Sequence, residues 1–295
     1  MNEVNAVSSA NLTPAKKFFV DMLTRDIELV DAILDLIDNC LDGATRKGLN
    51  ADGEDKYSGY YAELNFNGDF FEIKDNCGGI PKETAENSAF RLGRANDKDP
   101  HLPTVGVYGI GMKRAMFKMG YDIYVSSKTE ENGFVVKIDR DWMDNDGDWF
   151  IPMAPPADDD SVLGTKIIIR DLRSGIEKRL GSGEEFEAHL IDEISKHYAF
   201  IINKGFSVKV NGSTIKPAFD RLSIDTGFQN KDKALMPYLY KTNIDGVEVS
   251  LCVGFYRPLI NDEEEASMLE GNQSSKHKAG WTVICNDRVV LYADK

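Results

Sequence analysis

The stretch ELVDAILDLIDNCLDGA, residues 28–44, constrains this chain more than any other. Ile27, Val30, Leu34, Ile37 and Leu41 recur at steps of three and four and make one apolar stripe, the mark of an amphipathic helix. Asp35, Asp38, Asn39 and Asp42 fall on the other side, and Asp35 and Asn39 are one turn apart. An ordinary solvent face favours Glu, Lys and Gln, because the short side chains of Asp and Asn compete with the helix for backbone hydrogen bonds. Several of them on one face are a local cost, and such costs gather at functional sites. A carboxylate and an amide so placed can together position a hydrated divalent cation and a water molecule. Taken alone, the pattern also fits an acidic solvated face.

Three further stretches follow it. In FEIKDNCGGIP, residues 71–81, a strand of alternating character ends in Asp75 and runs into a turn rich in Asn and Gly. A carboxylate there can accept a hydrogen bond from a ligand amine, and Gly78 and Gly79 let a ligand approach the backbone. The same residues also make a plain turn. In GVYGIGMKRAMFKMG, residues 106–120, Gly106, Gly109 and Gly111 punctuate a loop that enters a helix over 112–119, with Gly120 as its cap. Free N–H groups at a helix start make an anion site, to which Lys113 adds a positive charge; a merely flexible loop is the other reading. The loop has neither the Gly-Lys-Ser/Thr ending of a P-loop nor the spacing of a dinucleotide fingerprint. In VLGTKIIIRDL, residues 162–172, Gly164-Thr165 precedes an apolar run that reads as a buried strand. The Thr165 hydroxyl could bond an ordered water or a polar ligand group.

In this order the four stretches resemble the motifs of the GHKL ATPase superfamily: gyrase-type topoisomerases, heat-shock chaperones of the ninety-kilodalton class, histidine kinases and MutL. The resemblance spans residues 26 to about 172, and the glycine loop and first helix most resemble the MORC, MutL and chaperone branch. It implies that Asn39 holds Mg2+ and that Asp75 binds the adenine amino group of ATP. It implies that Gly79 lies under the base, that Gly109, Gly111 and Lys113 hold the phosphates, and that Thr165 bonds near the adenine. The family's general base is a Glu four residues before the Asn; here that position is Asp35, one methylene shorter. Cys77 stands where the second motif has a Gly two residues after its Asp.

The implied fold class is α+β: a Bergerat-type α/β sandwich, with a mixed sheet covered by helices on one face, followed by a partial or small S5-like α+β transducer domain. Residues 1–25 read as an N-terminal arm, 26–204 as the ATP-binding domain and 205–295 as the transducer-like second domain. The chain stops just after its last strand, so it reads as cut short, or as a short natural chain. Within it, 14–25 is expected to be a short helix, 60–66 and 70–75 a hairpin, 81–92 a helix and 93–111 a mobile lid. Residues 121–127 and 134–138 are expected as strands, 144–160 as an acidic loop, and 184–202 as one helix. A strand should begin at 206–210, and 247–255 and 281–292 should be strands, the latter turning at Asn286-Asp287. Residues 260–280 should be an exposed loop, in which Lys276 or Lys278 could serve as the lysine that a transducer sends to the γ-phosphate.

With 295 residues and 42% hydrophobic content, the chain can bury a large core. Cys40, Cys77, Cys252 and Cys285 form no CxxC pair, and His101, His189, His197 and His277 show no metal-pair spacing. No apolar run is long enough to span a bilayer and no secretory leader is present, so a cytoplasmic location, with no membrane contact, is expected. A net charge of −14 argues against a broad nonspecific nucleic-acid surface.

The resemblance implies Mg-dependent ATP binding and slow hydrolysis, coupled to lid closure and to homodimerisation around a protein or DNA client. A nucleotide-binding regulatory module with little or no hydrolysis is the alternative, given Asp35. A histidine kinase fits less well, since no helical hairpin with a phosphorylatable His precedes the motifs.

Overall fold

A computed structural model describes residues 12–47, 55–91, 109–156, 163–219, 237–255 and 279–295. The chain divides into two compact units, residues 1–194 with 201–216, and residues 195–200 with 217–295.

The first unit opens with α1 (Lys16–Thr24) and the motif helix α2 (Leu29–Lys47). The buried face of α2 is broader than the apolar stripe alone, because Ala32, Ile33, Leu36 and Cys40 join Leu34, Ile37 and Leu41 in the core. Arg46 and Lys47 extend the helix to a C-terminus whose dipole they complement. Lys16 is wholly buried: its Nζ donates to the Trp142 carbonyl at 2.7 Å and lies 3.8 Å from the centre of the Trp142 ring. Its backbone N–H donates to Asp146 at 2.6 Å, so α1 is anchored within this unit. Residues 1–11 of the expected arm lie outside the described residues.

The hairpin forms as expected from β1 (Tyr61–Phe66) and β2 (Phe70–Asp75). Asn67 builds its turn by accepting the N–H groups of Asp69 and Phe70 on one side-chain oxygen. Then come α3 (Lys82–Thr84), α4 (Gly111–Met119), β3 (Gly120–Lys128), β4 (Gly133–Ile138), α5 (Arg140–Asp144), β5 (Met153–Ala154) and β6 (Gly164–Leu172). After α6 (Ser174–Leu180), α7 (Glu184–His197) and α8 (Ala199–Asn203) follow β7 (Ser207–Val210) and β8 (Ser213–Thr214). The eight strands form one mixed sheet in the order β5-β4-β3-β6-β2-β1-β7-β8. Every pairing in it is antiparallel except β1 with β7. Helices α2 and α4 pack on one another, α2 also against β1 and α4 against β3 and β6.

Two local expectations need correction. The helix expected over 81–92 is one α-turn, α3, continued by a π-helical turn over Ala85–Ala89. Ala85 is its one buried residue, and the side chains of Asn87 and Ser88 bond the carbonyls of Glu83 and Thr84, which favours a widened turn. The single helix expected over 184–202 breaks at Tyr198 between α7 and α8. Gly120 caps α4 as expected, its N–H meeting the Met116 carbonyl, and with an extended backbone at φ −165° it also starts β3. A Cβ on it would lie 2.6 Å from the Arg170 carbonyl oxygen, so strand packing requires the glycine. The lid expected over 93–111 lies outside the described residues except for 109–111.

The second unit contains two hairpins, β9 (Tyr238–Ile244) with β10 (Val247–Val253) and β11 (Trp281–Cys285) with β12 (Arg288–Asp294). Asp245-Gly246 and Asn286-Asp287 make their turns with positive φ at both residues, the geometry of the tightest hairpins. In the same unit the Arg288 guanidinium lies 4.3 Å from the centre of the buried Tyr198 ring, and His197 Nδ1 lies 2.6 Å from the Val289 carbonyl. Lys276, Lys278 and most of the loop expected over 260–280 fall outside the described residues. No helix among the described residues is long and apolar enough to cross a membrane.

Candidate functional site

Strand periodicity carries a carboxylate into the core. On β2, Phe71, Ile73 and Asp75 share one face, and their register partners Phe66, Leu64 and Ala62 share it too. That face is buried, and Asp75 is 8% exposed on it. A charge there is costly unless it is hydrogen-bonded. Asp75 Oδ1 accepts the N–H of Cys77 at 2.7 Å and that of Thr165 at 3.3 Å, while the thiols of Cys40 and Cys77 donate to the carbonyls of Leu36 and Tyr61. Burial outweighs these contacts and pushes the carboxyl up to about 6. Burial likewise pushes both thiols above their ordinary range, with the charge of Asp75 acting in the same direction.

Close approach of backbone makes this arrangement possible. A Cβ on Gly164 would lie 2.0 Å from the Asp75 carbonyl oxygen, so only glycine lets β6 begin beside Asp75 and present the Thr165 N–H. A Cβ on Gly43 would lie 2.7 Å from the Cys77 carbonyl oxygen and 2.9 Å from the Cys77 Cβ. The bare backbone of α2 at Gly43 is what makes room for Cys77.

Above Asp75 opens a cleft, continuous with solvent, lined by Asn39, Cys40, Asp75, Gly79, Met112 and Thr165 among others. The structure thus brings Asn39, Asp75, Gly79 and Thr165 together. Gly79, at φ +72°, carries the turn after β2 against β3, where a Cβ would meet the Lys128 carbonyl oxygen at 2.3 Å. Thr165 Oγ1 lies 3.0 Å from Ser127 Oγ, which also accepts the Ile80 N–H at 2.7 Å. Ser127 therefore ties the turn to β6. Sequence reasoning missed it, because its only signal is the pairing of Ser127 with Thr165 across β3 and β6. Cys40 was missed for a similar reason, since by spacing it is one more member of the α2 core face.

Asp35, Gly109, Gly111 and Lys113 lie outside that lining. Asp35 sits over the first turn of α4, where a Cβ on Gly111 would be 3.2 Å from its Oδ2. Arg114 Nη2 lies 3.4 Å from the same oxygen. Burial raises the Asp35 carboxyl above its ordinary value against the pull of Arg114, with a smaller push from Asp38. Gly109 is exposed with φ +63° just before α4, whose N-terminus has no side-chain cap. Its first N–H groups are thus available to an anion. Lys113 is 4% exposed and its Nζ donates to the Ala89 carbonyl at 2.6 Å; burial lowers its ammonium to about 8.

The amide of Asn39 donates from Nδ2 to the Asp35 carbonyl at 2.7 Å, which leaves Oδ1 as the atom to offer a cation. Among the described residues no cluster of three His, Cys, Asp or Glu could hold a metal. Mg2+ takes one or two protein oxygens and completes its shell with phosphates and water. An acceptor at the cleft floor, an amide oxygen along α2 and an uncapped helix start fit the base, the metal and the phosphates of a nucleotide in turn.

No curated protein matches the chain. Residues 27–167 match the family model described as histidine kinase-, DNA gyrase B- and HSP90-like ATPase, a match that supports the GHKL superfamily and implies ATP binding. The mixed eight-stranded sheet with its helices is α+β and agrees with the Bergerat-type fold, and the two small sheets fit a transducer-like domain. In sequence and in fold, residues 27–167 are similar to the ATPase domain of the GHKL superfamily.

Proposed function

We propose that the chain binds Mg-ATP in the cleft beside Asp75 and hydrolyses it slowly to ADP and phosphate. The observation that carries this reading is the carboxylate of Asp75, buried on an apolar strand face yet opening onto a cleft that also holds Asn39 and Thr165. An ionised Asp75 accepts the adenine amino group, and the fixed N–H donors of Cys77 and Thr165 orient it. Asn39 Oδ1 would hold the metal, which when bound would supply positive charge beside the phosphates. The phosphates would lie at the start of α4, at Gly109 and Gly111, and Lys113 would reach them only by leaving the Ala89 carbonyl. Asp35, one turn before Asn39, takes a proton from the attacking water as the water oxygen bonds the γ-phosphorus and the bond to the ADP oxygen breaks. Nucleotide-ordered closure of the segment before α4 then favours a homodimer acting on a protein or DNA client.

A second reading, a nucleotide switch that hydrolyses little or nothing, is favoured by the pairing of Asp35 with Arg114. Steady-state turnover separates the two. Calorimetry with ATP and GTP tests their common basis. ATP should bind in preference to GTP, since guanine has a carbonyl where adenine has its amine. Asp75→Ala should lose about 1.5–3 kcal/mol of ATP binding, the worth of a hydrogen bond to a charged group. Equal binding of the two nucleotides, or an unchanged ATP affinity in the variant, would reject the adenine assignment.

A further inference from the structure

We infer that Arg114 is a further nucleotide-contacting residue: it holds Asp35 as a counter-ion in the resting chain and transfers to the terminal phosphate of ATP, so that the triphosphate is distinguished from the diphosphate and the carboxylate is released in one exchange. The inference rests on the reading of the cleft as an ATP site and adds to it a residue that the four motifs do not name.

Arg114 stands in the first turn of α4, the helix whose uncapped start borders the cleft through Met112. Among the described residues its Nη2 makes one contact, at 3.4 Å, with Asp35 Oδ2, and both side chains are about one-third exposed, at 34% and 32%. One long contact between partly solvated groups is easily exchanged. The guanidinium is also under-used: Nε is buried and has no hydrogen-bond partner among the described residues. A buried donor left unmet is a cost, and a phosphate oxygen would remove it, because Arg offers two parallel N–H groups to two oxygens of one phosphate. Lys113, the neighbouring cation, points elsewhere here, with its Nζ on the Ala89 carbonyl. Arg46 lines the cleft from the other direction, two turns along α2 from Asn39.

The distances required of a hydrolytic site agree. A general base must reach its water at about 2.6–3.2 Å, and that water must stand about 3–3.5 Å from the phosphorus it attacks. The terminal phosphoryl group therefore lies within about 6–7 Å of the Asp35 carboxylate. A guanidinium already 3.4 Å from that carboxylate reaches such a phosphate by side-chain rotation alone. The α- and β-phosphates of ADP lie farther from Asp35 and leave the pair undisturbed. Gly111 contributes by letting α4 come close enough to Asp35 for the exchange to span one residue.

The test is calorimetry of the full chain with Mg2+ and either ADP or a non-hydrolysable ATP analogue, on wild type, Arg114→Gln, Arg114→Lys and Arg46→Gln. Arg114→Gln should weaken the analogue about 10- to 100-fold, the worth of a charge-assisted hydrogen bond, and change ADP by less than about threefold. Retained ADP binding also shows that the variant is folded. Arg114→Lys should recover part of the loss, and the KM for ATP in turnover should rise by the same factor as the analogue's Kd. Arg46→Gln removes the same charge from the cleft and should leave the ratio of the two affinities at its wild-type value. An Arg114→Gln variant in which both ligands weaken equally, or neither does, overturns the inference, as does an equal change of ratio in Arg46→Gln. If wild type binds neither ligand, the ATP reading itself fails. If wild type binds both and Asp75→Ala weakens both, an unchanged ratio in Arg114→Gln removes Arg114 alone.

Discussion

Asp75 and Asp35 are both carboxylates beside α2, and they are held in opposite ways. Asp75 is 8% exposed and bonded by neutral donors, the backbone N–H groups of Cys77 and Thr165, which are fixed by β6 and the turn after β2. Asp35 is about one-third exposed, and the partner facing it is a cation on a long side chain from another helix. The strand-built end of the cleft is rigid, since any displacement of Asp75 breaks both bonds at once. The helix-built end is exchangeable, because one long ion pair gives way to a stronger ligand. A site made this way holds a constant moiety at one end and responds to a variable one at the other.

Equivalent glycine substitutions at the two ends break this comparison if it is wrong. At Gly164 an added methyl would meet backbone, the Asp75 carbonyl oxygen at 2.0 Å, which has nowhere to go. Gly164→Ala should lower stability by about 2–4 kcal/mol, within the range of overpacked cores, and abolish nucleotide binding. At Gly111 the nearest atoms belong to the Asp35 side chain, at 3.2–3.4 Å, and they can turn aside. Gly111→Ala should cost less than about 1 kcal/mol in thermal or denaturant unfolding. Similar losses in the two variants would mean that both ends are equally rigid. The proposed catalytic role sharpens the same contrast. Asp35→Asn should keep ATP affinity within about threefold and slow turnover by about 100-fold or more, the usual worth of a general base. Wild-type turnover in that variant would move the base to another group.

The rigid end was the more legible in the sequence. Alternation from Phe71 to Asp75, with Asn67-Gly68 before it, is enough to place a hairpin whose last residue faces the core. The amphipathic stripe of α2 is likewise a local pattern, and it recovered the helix to within a few residues at each end. What was not legible depends on register between distant elements. Ser127 matters because β3 and β6 pair it with Thr165, and Arg114 because α4 crosses α2 at Asp35. Lys113 shows the same limit: its charge suits an anion site, but packing carries its ammonium to Ala89. The breaks at Tyr198 and over Ala85–Ala89 also escaped, since helical spacing in the sequence continues through both.

The smallest expected effect separates the cost of Asp75 from its use. Burial holds its carboxyl near 6, against an ordinary value of 3.8. Between those values the folded chain binds a proton that the unfolded chain has lost, so the contribution of Asp75 to stability is fully present below about 4 and is lost as pH rises through about 6. Above that window the ionised group lowers stability by at most about 3 kcal/mol, at roughly 1.4 kcal/mol per unit of pKa. Asp75→Asn removes the titration while keeping an oxygen for the N–H groups of Cys77 and Thr165. The variant should therefore gain on wild type as pH rises from 4 to 8, by about 1–3 kcal/mol in denaturant unfolding without nucleotide. It should also bind ATP less tightly, because an amide accepts the adenine amine more weakly than a carboxylate does. Wild-type ATP affinity should fall as pH drops below 6, since protonation removes that acceptor, whereas the affinity of the variant should stay flat over the same range. A stability difference that does not change with pH would mean that the Asp75 carboxyl is not held near 6, and the cleft floor would then be better solvated than its burial indicates.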